Sequence, residues 1–344
     1  MPPLKHRLAL VGFGTVAQGL CQILYSRRAD LLKEHAFDFD IVAVTSPSRG
    51  SMYDPEGLSL SKLVELGTSR APFTDHLQTW DSEAVIRNSN ATIVIELTPT
   101  DLKTAEPALT YCQAAFESGK HIITGNKGPA ALNYQNTKSL AEQSGLAFLN
   151  EATVLSGTPV ISLFQQSLAG IRIHGIRGIL NGTTNFILSE MESGARYEQA
   201  LETAENRGYL EADKTADIEG FDAQAKLVIL ANILMDIPLR LQDVQRSGIS
   251  SITSAKIQAA KQADKRWKLV ASLTMDGDQV LASVQPEQLP LSDPLSHIMD
   301  TGNAITFSTD LLGDVTISGP GAGSIETGYS ILSDLLTINR GNSV

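Results

Sequence analysis

Six residues near the start of the chain, Gly12-Phe13-Gly14-Thr15-Val16-Ala17, constrain its architecture more than any other stretch. They spell G-x-G-x-x-A between a short apolar run at residues 8–11 and a helical pattern that extends to about residue 32. In that setting the first glycine permits a tight turn and the second lets backbone approach a pyrophosphate. The small third residue lets helix and strand pack closely. The start of the helix then faces the phosphates with unpaired N–H groups. The motif predicts a parallel α/β sheet opening with a dinucleotide site; a glycine-rich turn without a ligand is the alternative these six residues leave open.

The stretches that follow keep the alternation of strand and helix. Residues 39–44 read as a second strand, and 91–97 (ATIVIEL) are nearly all apolar and β-branched, as a parallel strand covered on both faces should be. Residues 106–118 read as a helix with Pro107 in its first turn and Gly119 at its stop, and 121–124 as another strand. Strands alternating with helices imply a doubly wound sheet. From about residue 126 the rhythm changes. Thr158-Pro159 reads as an N-cap followed by a first-turn proline, and residues 171–180 as a strand ending at Asn181-Gly182. Residues 185–193, 197–207 and 221–235 read as helices. Strand-like runs at 268–273 and 280–284 flank the turn Asp276-Gly277-Asp278, and shorter ones lie at 305–307 and 315–317, before GPGAG and a last helix over 324–338. The expected fold is α/β: an N-terminal Rossmann-type parallel sheet over residues 1–130, an inserted α/β domain over 131–304, and a C-terminal segment, 305–344, returning to the first domain.

Composition narrows the partners. A net charge of −11 argues against a nucleic-acid surface, which needs a basic face, and against docking on anionic lipid. No apolar run reaches the roughly 18 residues of a membrane span. The basic residues Lys5, His6 and Arg7 faintly mimic a signal peptide, but the apolar run after them is short and Gly12 and Gly14 follow at once. Two cysteines, Cys21 and Cys112, fall in expected helices with no metal or disulfide spacing, which fits a cytoplasmic protein. His6, His35, His76, His121, His174 and His297 form no metal spacing either.

The end of the second strand bears on the choice of nucleotide. An Asp or Glu there would bind the ribose 2′-hydroxyl of NAD; this chain reads Val44-Thr45-Ser46-Pro47-Ser48-Arg49. Hydroxyls and an arginine suit a 2′-phosphate, so NADP is favoured and NAD remains possible, with a solvated Arg49 as the alternative. Further on, residues 208–226 (GYLEADKTADIEGFDAQAK) hold Glu211 and Asp217 on an expected loop, then Asp222 and Lys226 four apart at the start of a helix. Residues at i and i+4 share a helix face, so carboxylate and ammonium point into the same space. A solvated surface ion pair is the plainer reading of that spacing.

GFGTVA, IELTPT, GKHIITGNKGPAAL, NEATVLSGTPVI, GILNGTTNFIL, GYLEADKTADIEGFDAQAKL and GPGAG follow the order and spacing of homoserine dehydrogenases, and the resemblance covers nearly the whole chain. GILNGTTNFIL followed by GY-x-E and D-x-x-G-x-D-x-x-x-K is its most specific part. The resemblance implies interconversion of L-aspartate 4-semialdehyde and L-homoserine with NAD(P)H, in threonine and methionine synthesis, and a second domain that is catalytic and dimerising. Aldehyde reduction needs a hydride donor beside the carbonyl carbon and a cation or acid beside the developing alkoxide. Lys226 is similar in place to the family's proton donor, and Lys127 in Gly125-Asn126-Lys127 looks like its second active-site lysine. Crowded lysines repel, and burial favours the neutral amine, which eases proton donation. Glu211 and Asp222 resemble the substrate-binding carboxylates, with Asp217 in support. Thr98 and Gly323 fall where the family touches the nicotinamide nucleotide, and the strands at 268–273 and 280–284 are the implied dimer interface.

Residues 151–158 resemble the family's monovalent-cation loop, in which oxygens of Glu151, Val154, Ser156 and Thr158, mostly main-chain carbonyls, would hold sodium. Leu155 and Ser156 depart from the small residues expected there, and glycine reaches conformations that leucine avoids. The C-terminal regulatory domain that many bacterial members carry is expected to be absent, as is a fused aspartate kinase. A related dehydrogenase sharing only the nucleotide half, and a non-catalytic NADP(H) sensor, are the competing readings.

Overall fold

The first apolar run of the chain alternates between the two faces of one sheet. Leu8 and Leu10 are fully buried against Phe37, Phe39, Ile331 and Leu335, whereas Ala9 and Val11, equally buried, pack on the other side with Val85, Ile86 and Cys112. Successive strand residues point to opposite faces, so a strand apolar at every position must be covered twice. The structure, a computed structural model, describes residues 5–69, 71–210, 214–277 and 279–341.

This run is β1 (Lys5–Val11), followed by α1 (Thr15–His35), β2 (Asp38–Ser46), β3 (Gly50–Tyr53), α2 (Leu60–Ser69), β4 (Leu77–Gln78) and α3 (Ser82–Asn88). Next come β5 (Ile93–Glu96), α4 (Ala108–Glu117), β6 (His121–Thr124), α5 (Lys127–Leu132), α6 (Tyr134–Gln143) and β7 (Phe148–Leu149). The sheet runs β4-β3-β2-β1-β5-β6-β7. Its five strands from β2 to β7 are parallel, and β3 and β4 add an antiparallel edge. The chain builds outward on one side of β1, then returns to start β5 on the other. Such a switch point opens a crevice at the carboxyl ends of the strands, where doubly wound sheets take their ligands.

The second compact unit holds β8 (Ile173–Ile179), α7 (Gly182–Glu192), α8 (Tyr197–Asn206), α9 (Thr215–Ile218), α10 (Phe221–Leu234), β9 (Gln245–Arg246) and α11 (Ser254–Gln262). It closes with β10 (Lys265–Asp276), β11 (Gln279–Pro290), β12 (Gly302–Thr309) and β13 (Gly313–Pro320). Its sheet is ordered β13-β12-β8-β10-β11-β9, antiparallel except where β9 joins β11. α12 (Ser324–Gly341) then returns to the first unit and lies along α1. A Cβ at Gly19 would sit 2.1 Å from the Ser324 carbonyl oxygen, and one at Gly328 2.7 Å from the Leu20 nitrogen. A glycine on each helix lets the two backbones approach this closely.

The compact units comprise residues 1–157 with 323–344, and residues 158–322. They divide at 157/158 and 322/323, where the sequence suggests 130/131 and 304/305. Pairing explains both differences. β7 adds to the first sheet beyond β6, and β12 pairs along β8, so the runs at 305–307 and 315–317 belong to the second sheet. Only α12 returns. Thr158-Pro159 does not open a helix as expected. The Thr158 hydroxyl donates to the Pro320 carbonyl (3.3 Å), and the following backbone winds as a π-helical turn over Leu163–Ser167.

Candidate active site

The glycine motif occupies the β1–α1 turn. Gly12 has φ +98°, and a Cβ there would lie 2.6 Å from the Leu97 carbonyl oxygen, so both conformation and space demand glycine. Gly14 precedes α1 with no side-chain cap, and a Cβ on it would meet nothing within 4 Å. That space is open to a phosphate at a helix start with no acid in its first turn. Phe13 and Ala17 are buried, Gly14 and Thr15 are exposed, and Val16 is half-buried. The start of α12 joins this turn, because Ser324 Oγ donates to the Thr15 carbonyl (2.8 Å) and so brings Gly323, with φ +143°, to the same place.

Arg49 is not a solvated loop residue. Its guanidinium lies 4.5 Å from the Phe73 ring centroid and 5.3 Å from that of Phe13, and Nη2 donates to the Leu66 carbonyl (3.0 Å). Burial lowers its pKa, and its Nε is buried with no partner among the described residues. The Ser46 and Ser48 hydroxyls are 3.5 Å apart in the same turn. An arginine stacked on Phe13 links the glycine-motif turn to the end of β2.

At the carboxyl ends of β5 and β6, Glu96 is completely buried. It accepts from the Thr98 N–H (2.9 Å), from the Thr98 hydroxyl and from Thr124 Oγ1 (2.8 Å). Burial raises its pKa, opposed by the hydrogen bonds from Thr98 and Thr124. Asn126 caps α5 through its Oδ1, which accepts from the Gly128 N–H (2.8 Å), and its Nδ2 donates to the carbonyls of Thr98 and Pro99 (3.2 Å each). Lys127 is the first residue of α5; its N–H donates to Thr100 Oγ1 (3.2 Å) and its side chain is half-buried. Thr98 and Lys127 are thus brought onto one hydrogen-bonded crevice rim.

The second unit gathers Lys226, Asp222 and Asp217. Lys226 is 8% exposed, with Nζ 2.7 Å from Asp222 Oδ2 and donating to the Leu180 carbonyl (2.8 Å). The i, i+4 pair is therefore desolvated rather than a surface ornament, and removing one partner from such a pair costs several kcal/mol. Asp217 lies on the short helix α9 rather than on the loop expected for it. The Asn181 amide joins these acids: Nδ2 donates to Asp217 Oδ1 (2.7 Å) and to Asp222 Oδ2 (3.0 Å). Its Oδ1 meanwhile caps α7 by accepting from the Thr184 N–H (2.9 Å). Sequence reading missed Asn181, since asparagine before glycine reads first as a turn; the signal available was its place in GILNGTTNFIL. Glu211 lies outside the described residues.

In the loop carrying Glu151 and Val154, Leu155 and Ser156 have φ +53° and +50°. They adopt the left-handed region despite their side chains, at a cost on the order of 1 kcal/mol each. Ser156 offsets this through α12: its hydroxyl is 2.7 Å from Thr327 Oγ1, and its carbonyl accepts from Ser330 Oγ. Glu151 and Val154 are buried, and the Glu151 N–H donates to Asp334 Oδ2 (3.0 Å), a carboxyl that burial holds well above its ordinary range. Thr158, also buried, begins the other compact unit. Among the described residues no three His, Cys, Asp or Glu side chains cluster as a metal site, and no helix is long and apolar enough to cross a membrane.

Comparison with known proteins bears on both units. The family pattern described as homoserine dehydrogenase matches residues 159–336. An NAD(+)-dependent homoserine dehydrogenase from Pseudomonas canavaninivorans is 43% identical over 98% of this chain and 97% of its own length. A crystal structure of a homoserine dehydrogenase from Thiobacillus denitrificans superposes with a TM-score of 0.85 at 29% identity, covering 99% of this chain and 74% of that one. A hyperthermophilic archaeal homoserine dehydrogenase in complex with NADPH superposes with a TM-score of 0.83 at 26% identity, covering 98% of each chain.

Proposed function

The chain belongs to the homoserine dehydrogenase family, an oxidoreductase of CH–OH groups that uses NAD(P), and from that premise we propose which of its residues act and which nucleotide it prefers. The reaction interconverts L-aspartate 4-semialdehyde and L-homoserine. Bound nicotinamide supplies or accepts the hydride. Lys226 Nζ gives the proton to the oxygen that becomes the homoserine hydroxyl, and takes it back in the reverse direction. The buried contact of Lys226 with Asp222 and the Leu180 carbonyl is the observation that carries this reading, because it fixes one ammonium in a dry place with two of its three N–H groups engaged. Asp217 and Asp222, held together by Asn181, receive the substrate ammonium along with Glu211. Lys127, at the carboxyl end of β6, is the second catalytic lysine and a neighbour of the nucleotide.

Gly12, Phe13, Gly14, Thr15, Val16 and Ala17 hold the pyrophosphate; Thr98 and Gly323 meet the nicotinamide side. NADP is preferred over NAD. Ser46, Ser48 and Arg49 close β2 with hydroxyls and a guanidinium and no carboxylate, a donor set suited to a 2′-phosphate. Carbonyl oxygens of Glu151, Val154 and Ser156, with Thr158, take a sodium ion; the left-handed backbone at Leu155 and Ser156 is the angle a glycine would otherwise supply. The chain is a homodimer built on the β10–β11 hairpin, where Met275 and Leu281 are 39% and 48% exposed.

Turnover of aspartate semialdehyde with NADPH and with NADH at matched concentration tests the substrate and the nucleotide together. We expect oxidation of both, NADPH faster, with Arg49→Ala lowering the NADPH:NADH ratio of kcat/KM about tenfold. A ratio that Arg49→Ala leaves untouched removes the 2′-phosphate reading. No turnover with either nucleotide removes the catalytic assignments.

A further inference from the structure

Glu96 is the only acidic residue of β5, following Ile93, Val94 and Ile95, all fully buried. A buried carboxyl is costly unless hydrogen-bonded, and an apolar side chain would continue this strand without that cost. The hydrogen bonds of Glu96 point instead toward the two segments that leave the sheet at its carboxyl edge.

One oxygen, Oε1, receives both donors of Thr98, the N–H at 2.9 Å and the hydroxyl. The other, Oε2, receives Thr124 Oγ1 at 2.8 Å. Thr124 Oγ1 in turn accepts the Asn126 N–H (2.9 Å), and Asn126 Nδ2 reaches across to the Thr98 and Pro99 carbonyls. The ring closes on itself: carboxyl to Thr124, Thr124 to Asn126, Asn126 to Thr98, Thr98 to carboxyl. The Lys127 N–H is tied to the same loop through Thr100 Oγ1. Its charge reaches Cys112 and Tyr111 on α4, neither of them a cation. Among the described residues no ion pair explains the acid.

We propose that Glu96 is a positioning residue for the reaction, fixing the loop at residues 98–100 against the Asn126–Lys127 turn so that Thr98 and Lys127 present one preset surface to the nicotinamide end of the nucleotide. The proposal rests on the placement of Thr98 and Lys127 given under Proposed function. A carboxyl suits this position because each oxygen can accept, so one side chain restrains two segments at once. Glutamine matches its shape but offers one accepting oxygen and one donating nitrogen. With Oε1 kept toward the Thr98 N–H, the glutamine NH2 would face Thr124 Oγ1, which already accepts the Asn126 N–H and would be left with only the Asn126 carbonyl, at 3.5 Å, as its acceptor.

The test compares Glu96→Gln and Thr124→Val with the unaltered full chain by NADPH fluorescence titration, steady-state kinetics and thermal unfolding. Both variants are expected to stay folded and to bind NADPH about tenfold more weakly, the loss of one hydrogen bond to a charged group. The double variant should be no weaker than the worse single one, because both cut the same ring. Binding unchanged in folded protein would overturn the proposal, as would additive losses in the double variant. If Glu96→Gln fails to fold, the comparison rests on Thr124→Val alone, with the same two outcomes. The titration needs no substrate, so a failed catalytic assignment shows as absent turnover in the unaltered chain, independently of what the variants do to binding.

Discussion

Lys226 and Lys268 are both buried lysines of the second unit, 8% and 1% exposed, and they are buried in opposite ways. Lys268 is surrounded by neutral acceptors: Nζ donates to Asn185 Oδ1 (2.8 Å) and the Ile298 carbonyl, and lies 3.6 Å from Met299 Sδ. All three of its donors are occupied by the protein. Burial pulls its pKa down to about 8, with Glu192 and Asp300 opposing and Arg266 assisting. Lys226 has a carboxylate at 2.7 Å and one carbonyl, which leaves a third donor unassigned among the described residues. A saturated lysine is a strut. A lysine with a counter-ion and a spare donor can hold and release a proton on something else.

The largest expected effect separates the two lysines at once. Lys226→Ala should lower kcat by about a thousandfold, the range for a lost general acid, while NADPH affinity stays within twofold of the unaltered chain. Steady-state rates and a fluorescence titration on the same preparation check it. A kcat within tenfold of the unaltered enzyme would return Lys226 to the structural class of Lys268.

Much of this was legible beforehand, for reasons that differ by residue. Gly12, Gly14 and Ala17 act by what they lack, so the motif reads directly from sequence. Asp222 and Lys226 lie on one helix, so their spacing alone puts them together. Asn181 and Asp217 are 36 positions apart, and nothing local joins them. Lys268 opens an expected strand as an ordinary polar end residue; only the packing of α7 and the segment at 298–302 around it makes it a core group. Glu96 was passed over inside an apolar run because periodicity marks the strand and says nothing of what its last side chain holds. Likewise β12 and β13 carry good strand patterns, but sheet membership depends on a partner, β8, more than a hundred residues earlier.

Lys268→Met should act on stability alone. It leaves Asn185 Oδ1 without its donor and the Ile298 carbonyl with Asn185 Nδ2 alone, and should cost about 2–3 kcal/mol in urea unfolding with kcat of the folded enzyme unchanged. Its pH dependence carries a sign. A lysine whose folded pKa is about 8 against an ordinary 10.5 binds fewer protons folded than unfolded between those values. Its contribution to stability therefore rises as pH climbs from about 8 to 10.5, and is a penalty below 8. The stability difference between the unaltered chain and Lys268→Met should grow in favour of the lysine across that window. A flat difference would mean that Lys268 is better solvated than its packing implies.

Asp222→Asn gives the smallest effect and bears most directly on what distinguishes the two lysines. Asparagine keeps the volume, and its oxygen can accept from Lys226 or from Asn181, so the cluster should hold its shape. What disappears is the counter-charge, which makes the surroundings of Lys226 resemble those of Lys268. The kcat/KM for aldehyde reduction at neutral pH should then fall about tenfold, the equivalent of one charge-assisted hydrogen bond. If the rate holds, burial rather than the carboxylate sets the behaviour of Lys226, and the two lysines differ only in their spare donor.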